Sequence, residues 1–266
     1  MSWALFRANI RSTRTIWIIM TAVYLMYFSI MTSMFDPESA QAFEDMLKAL
    51  PEGMLKAFGM DQIGTTLLDM LASYMYGFLL FLFPMVITIV VNHNLIASHV
   101  DKGSMAYLLA TPNSRKKIAL TQALYSMASA TLFFTTITIG GTLIAHVIHP
   151  GALDIGQFLL VNVYSLILYF TLGSIGFFAS CLANESKLSL GIGIGLPVTF
   201  LVLQMLGDAS DKLSWIGNLS LYALFAPTRL MAGEAFAYLG MAALLVLACA
   251  LYYGGITVFT KKDLHV

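Results

Sequence analysis

Charge is the first thing this chain lacks. Only 11% of its 266 residues are Asp, Glu, Lys or Arg, against about 25% in an ordinary soluble domain, and 59% are hydrophobic. That excludes a soluble globular protein and points to an integral membrane one. Cysteine is scarce too. Cys181 and Cys249 are the two present, both inside apolar segments, where they read as small buried hydrophobes and not as a disulfide or a metal pair. No acid or base falls in the middle of any long apolar segment. Ion-coupled transporters ordinarily keep such a group as a relay, because an intramembrane charge is costly and retained for function. There is no G-x-x-x-x-G-K-[ST] to cradle a nucleotide, no H-E-x-x-H for zinc and no G-x-S-x-G nucleophile elbow. Asp208 has no second aspartate deep in another segment, which argues against an intramembrane aspartyl protease. His146 and His149, with Asp154 nearby, read as solvated turn residues, and His93 and His99 as interfacial side chains, not metal ligands.

What is present is a series of apolar stretches. A membrane-spanning helix needs roughly 20 residues, and six segments qualify: 16–34, 70–91, 118–145, 158–182, 188–206 and 237–259. The expected fold is an all-α integral membrane protein, a single transmembrane domain over residues 1–266. Ahead of the first span, residues 1–15 pattern as an amphipathic helix. Trp3, Phe6 and Ile10 share one side, and Arg7, Arg11 and Arg14 the other. Such a helix lies in the headgroup plane with its arginines towards anionic lipid, and a role against a partner subunit is equally open. This N-terminus is not expected to be a cleavable signal, because the segment behind its arginines is long enough to span and no small-residue cleavage site follows. Asp36-Pro37-Glu38 opens a further helix by N-cap and N1 chemistry, and Pro51-Glu52-Gly53 breaks it. A short amphipathic stretch before the last span is interrupted at Ala226-Pro227. Short helices are therefore expected on the outer side.

Orientation follows from the basic residues of short loops. With both termini inside, ten of the 14 lysines and arginines face the cytoplasm; only Lys48, Lys56, Lys212 and Arg229 face out. The six spans then divide into two inverted sets of three, and the middle span of each carries a proline near mid-membrane, Pro84 and Pro197. Interrupted segments at matching places in two halves point to a transport pathway, although a packing kink is an equally good reading of either proline. Thr88 and Gln204 are among the few polar side chains on these two spans, and Gly191 and Gly195 form a small-xxx-small face suited to helix packing or a dimer contact.

The longest polar interruption on the inner side is 98–115, with the sequence DKGSMAYLLATPNSR over 101–115. A short helix fits 104–110, and Thr111-Pro112 stops it, since the residue before proline is pushed out of the helical region. The stretch resembles the loop after the second membrane helix of ABC-2-type permeases, the membrane subunits of bacterial ABC exporters. The matching positions are Asp101, Gly103-Ser104, Leu108-Leu109, Thr111-Pro112 and Arg115; where that family often has a glutamate one turn before the glycine, this chain has His99. More weakly, the resemblance covers the whole chain through its length, its six segments and the closing Phe259-x-Lys-Lys-Asp-Leu.

The resemblance implies a permease that is not itself an enzyme. ATP and Mg would be bound by a separate ATPase subunit, and this chain would hold no cofactor. The helix after Gly103 would act as a coupling helix, with Met105, Tyr107, Leu108 and Leu109 making the hydrophobic contact and Asp101 and Arg115 flanking it. Expected partners are that ATPase, a second permease copy or homologue, and membrane lipid, with no nucleic acid; the expected location is the bacterial plasma membrane. With so few polar groups on the spans, the cargo should be hydrophobic or amphipathic: a peptide toxin of the phenol-soluble modulin type, an antimicrobial peptide or a drug. Two other classes stay open, a secondary transporter driven by an ion gradient and an intramembrane enzyme acting on lipid or peptide.

Overall fold

A computed structural model describes residues 1–35, 54, 66–110, 113–183 and 185–262, and among these every regular element is helical. The loop helix expected from Asp36 onward and its break at Pro51, like Pro112, lie outside the described residues. Five helices are long and apolar enough to cross a membrane: α1 (Trp3–Met34), α6 (Arg115–Ile148), α7 (Ile155–Leu182), α8 (Ser186–Ala209) and α11 (Ala235–Lys261). A sixth crossing is a bent pair, α2 (Leu67–Tyr74) and α3 (Leu80–Leu95), joined by a π-helical turn over Met75–Leu79. The chain is an all-α, multi-pass membrane protein. Short helices α4 (Ala97–Asp101) and α5 (Met105–Leu109) follow α3, and α9 (Ser214–Gly217) and α10 (Pro227–Met231) lie between α8 and α11.

Helix starts are set by local chemistry. Thr66 and Asp69 close a reciprocal capping box on α2. Ser114 accepts from the Lys117 amide at α6, and Asp154 from the Gln157 amide at α7. Pro227 occupies the first turn of α10, where its missing N–H costs nothing.

No break separates residues 1–15 from the first span. The 32 residues of α1 form one helix, about 48 Å long at 1.5 Å per residue, which outruns a hydrocarbon layer of about 30 Å. Residues 3–15 are thus continuous with the first span and do not form a separate helix. The physical reason lies in α6, which runs parallel to α1 and holds it along its length. At one end the Ser2 amide donates to Thr121 Oγ1 at 2.8 Å, Asn9 Nδ2 donates to Gln122 Oε1, and Thr13 Oγ1 bonds Tyr125 OH. At the other, His149 Nε2 lies 3.1 Å from the Thr32 carbonyl. The face α1 buries is thus Leu5, Asn9 and Thr13, while Trp3, Ile10 and all three arginines stay exposed.

At the centre lies α7, the most buried of the spans, packed against α3, α6, α8 and α11. By contrast, α8 is the least buried. Among the described residues the buried polar side chains are Ser, Thr, Asn and Gln alone; no Asp, Glu, Lys or Arg is buried.

Candidate docking site and transport pathway

The loop between α3 and α6 is built from the membrane outward. Where α3 ends, its last polar backbone groups need partners, and neighbouring spans supply them. Gln122 Nε2 of α6 donates to the Leu95 carbonyl at 2.6 Å, and the Ala97 amide donates to Ser180 Oγ of α7 at 2.9 Å. The chain therefore leaves the bundle on a fixed footing. After α4, Gly103 adopts φ +68°, a left-handed conformation that L side chains seldom take, and the direction reverses into α5. Ser104 Oγ lies 2.9 Å from His99 Nδ1 and bonds the His99 carbonyl at 3.2 Å, closing the turn. Burial, with help from the nearby Lys102 ammonium, lowers the His99 pKa below its ordinary value.

On α5, Met105 is fully buried and part of the core, Leu108 is half-buried, and Tyr107 is 80% exposed. Met105 is therefore not available for contact with a partner. Residues three apart share a helix face, so Met105 and Leu108 anchor α5 to the bundle and Tyr107 points away from it. Asp101, Lys102 and Gly103 are exposed beside it. Arg115, expected to flank the contact, has one guanidinium N–H on the Lys262 carbonyl at 2.7 Å. Lys262 in turn sends its Nζ to the carbonyls of Leu182 and Ala183 at 2.6 and 2.7 Å, and to that of Cys181 at 3.3 Å. A lysine at these orphan carbonyls satisfies the end of α7 and meets the negative end of its dipole. The start of α6, the end of α7 and the end of α11 are thus clasped together beside the loop. Partial burial lowers the Lys262 pKa.

The family described as ABC-2 family transporter protein matches residues 3–264, nearly the whole chain. The chain belongs to the ABC-2 transporter family. It is a permease, the membrane subunit of an ABC transporter. No curated protein matches it at a significant level.

The two prolines of the permease differ. Pro84 has no N–H for the Leu80 carbonyl, and its ring crowds that carbonyl. The span bends by 45° between Leu67–Gly77 and Leu80–Leu95, and Tyr169 of α7 donates its hydroxyl to the freed Leu80 carbonyl at 2.5 Å. Pro197 breaks nothing, because α8 runs unbroken from Ser186 to Ala209. Only one rung of the ladder is lost there, and Gly193, whose carbonyl loses its donor, has no side chain to displace. One of the two spans is interrupted, at the π-helical turn over Met75–Leu79 that precedes Pro84, while α3 itself runs on through the proline.

Thr88 and Pro197 do meet, in a crevice between α3, α7 and α8 that Asn92, His93 and Ser189 also line. Its volume is about 10 Å³, room for about one water molecule and none for a peptide. Gln204 lies elsewhere, donating to both carboxylate oxygens of Asp208 on its own helix at 2.9 and 3.0 Å. A Cβ at Gly191 or Gly195 would meet nothing within 4 Å, so their face is open.

Sequence reading missed Asn92. Its amide donates to the Thr88 carbonyl at 2.8 Å and its Oδ1 accepts from Ser126 at 3.0 Å; Ser126 also bonds Tyr252 OH at 2.9 Å. That node ties α3, α6 and α11, and Gly173 and Gly176 make room for it on α7. A lone asparagine near a span's end carries no pattern, so only the neighbouring glycines in 158–182 hinted at a close approach.

Proposed function

We propose that this permease is driven by a separate ATPase subunit that docks on α4–α5, and that it exports hydrophobic or amphipathic cargo from a bacterial cell. The observation carrying this reading is Tyr107, a large side chain 80% exposed on a helix whose neighbours are anchored into the bundle. A rigidly footed turn with an exposed aromatic at its tip has the anatomy of a binding hot spot. ATP and Mg belong to the partner. Both termini and the docking loop face the cytoplasm, where ten of the 14 lysines and arginines then lie.

The absence of buried charge among the described residues supports an external energy source over an ion relay. No single-chain cavity lined by Thr88 and Pro197 reaches cargo size, so the pathway forms between two permeases, either copies or homologues, across the open face of α8. Its sparse polar lining suits a peptide toxin, an antimicrobial peptide or a drug.

The test is a mild-detergent pull-down of the tagged chain from its host, comparing wild type with Tyr107→Phe and Tyr107→Asp. A stoichiometric partner carrying a Walker A loop is expected with wild type and Tyr107→Phe. Tyr107→Asp should lower its recovery by about tenfold or more, within the range of a lost hot spot, with unchanged thermal unfolding. A wild-type chain recovered only with itself would remove the ATPase from the reading.

A further inference from the structure

Beside the docking loop, at the basic end of the bundle, α1 and the α3–α5 segment enclose a groove of about 300 Å³. Its walls divide by chemistry. Leu5, Val91, Leu95 and Leu108 give an apolar side, and Ser12, Asn94, Ser98 and Lys102 a polar one. No carboxylate lines it. Ser98 is only 6% exposed, yet among the described residues its hydroxyl has no hydrogen-bond partner. The Ser98 residue lines the groove, so its hydroxyl can donate to a group that enters there. Lys102 likewise meets no carboxylate among the described residues.

We infer that this groove holds the headgroup of an anionic phospholipid, its phosphate on Lys102 and the Ser98 hydroxyl. Three observations favour that occupant. An ammonium with two or three neutral donors and no acid in the lining complements a single negative charge, the neighbouring Asp101 lying outside it. The volume is that of a small-ligand site, enough for a glycerophosphate group and the start of an acyl chain, too small for a whole lipid. And the apolar wall continues towards the bilayer, because Ile19 lies two turns beyond Ser12 on α1 and is 47% exposed. Since Leu108 and Ser104 of the docking loop line the same groove, the lipid braces α5 against α1.

The experiment uses the purified chain alone, so it succeeds or fails independently of any ATPase. Native mass spectrometry reads retained adducts after titration with phosphatidylglycerol or phosphatidylcholine, with and without inorganic phosphate. Wild type should keep one phosphatidylglycerol per chain at about tenfold higher occupancy than phosphatidylcholine. Lys102→Glu should remove that preference, and Lys116→Glu, an exposed lysine outside the groove, should not. Ser12→Trp fills the groove without changing charge and should abolish the adduct; thermal unfolding checks that each variant is folded. Equal binding of both lipids, an adduct surviving Ser12→Trp, or displacement by free phosphate would each overturn the proposal, the last by making the site one for a soluble anion.

Discussion

Pro84, Leu80 and Tyr169 are three residues from two helices that solve one backbone problem. Proline leaves the Leu80 carbonyl without its helical donor, and in a membrane no water replaces it. The Tyr169 hydroxyl does, at 2.5 Å. Tyr169→Phe should therefore lower thermal stability by about 1–3 kcal/mol, the cost of an unsatisfied buried acceptor. A double-mutant cycle makes the claim specific. In a Pro84→Ala background the amide of residue 84 can serve Leu80, so Tyr169→Phe should cost markedly less there. If the tyrosine costs the same in both backgrounds, its hydroxyl serves packing and not the proline. Pro197 shows why sequence alone could not separate these cases. Two prolines at matching places in two apolar runs read alike, and what distinguishes them is a tyrosine 85 positions downstream of one of them.

Elements differ in how much of them sequence discloses. Hydropathy windows disclosed the spans because 20 apolar residues in a row have few other uses. The loop between α3 and α6 was legible as a polar interruption with a glycine at a reversal, and Gly103 does sit at positive φ. Which side of α5 faces the bundle was not legible, because five residues are too few to define a stripe, and Met105 proved to be the anchor. The length of α1 was hidden for another reason. Arginines on one face fit a separate amphipathic helix as well as the start of a long span, and the Asn9–Gln122 and Thr13–Tyr125 bonds that hold this part of α1 on α6 leave no mark in the sequence. The footing of the loop has a pH signature. The His99 pKa is lowered in the folded protein by burial and by Lys102, while in the unfolded chain it sits near 6.5. The unfolded state therefore binds more protons in the window below that value. Stability is fully present above about pH 6.5 and is lost as the pH falls through it. Thermal unfolding of wild type should drop relative to His99→Asn between about pH 7.5 and 5.5. A gap that stays constant across that range would mean His99 does not sense protons there.

At the scale of the molecule, the hydrogen-bonded nodes are not spread evenly. Asn92, the Lys262 clasp and three of the four α1–α6 bonds lie towards the basic end, and α7 collects contacts from four other spans. The bundle is thus tied together around α7 and at its basic end, while α8 stands at the edge with most of its surface uncovered. Lipid alone can cover an apolar helix. What lipid does not use is the notch made by Gly191 and Gly195, open on the outside, and small residues four apart let another helix backbone approach closely. The two-permease arrangement proposed above would place a second α8 in that notch, where the cargo pathway would open. Gly195→Leu should therefore shift the purified permease from two copies to one, raising the dissociation constant in nanodiscs by about tenfold or more, as read by mass photometry across a dilution series. Ala250→Leu, on the exposed face of α11, is the matched control and should leave the equilibrium alone. Should Gly195→Leu dissociate no more readily than the control, the copies meet elsewhere, and the crevice at Thr88 and Pro197 would have to open within one chain to pass any cargo.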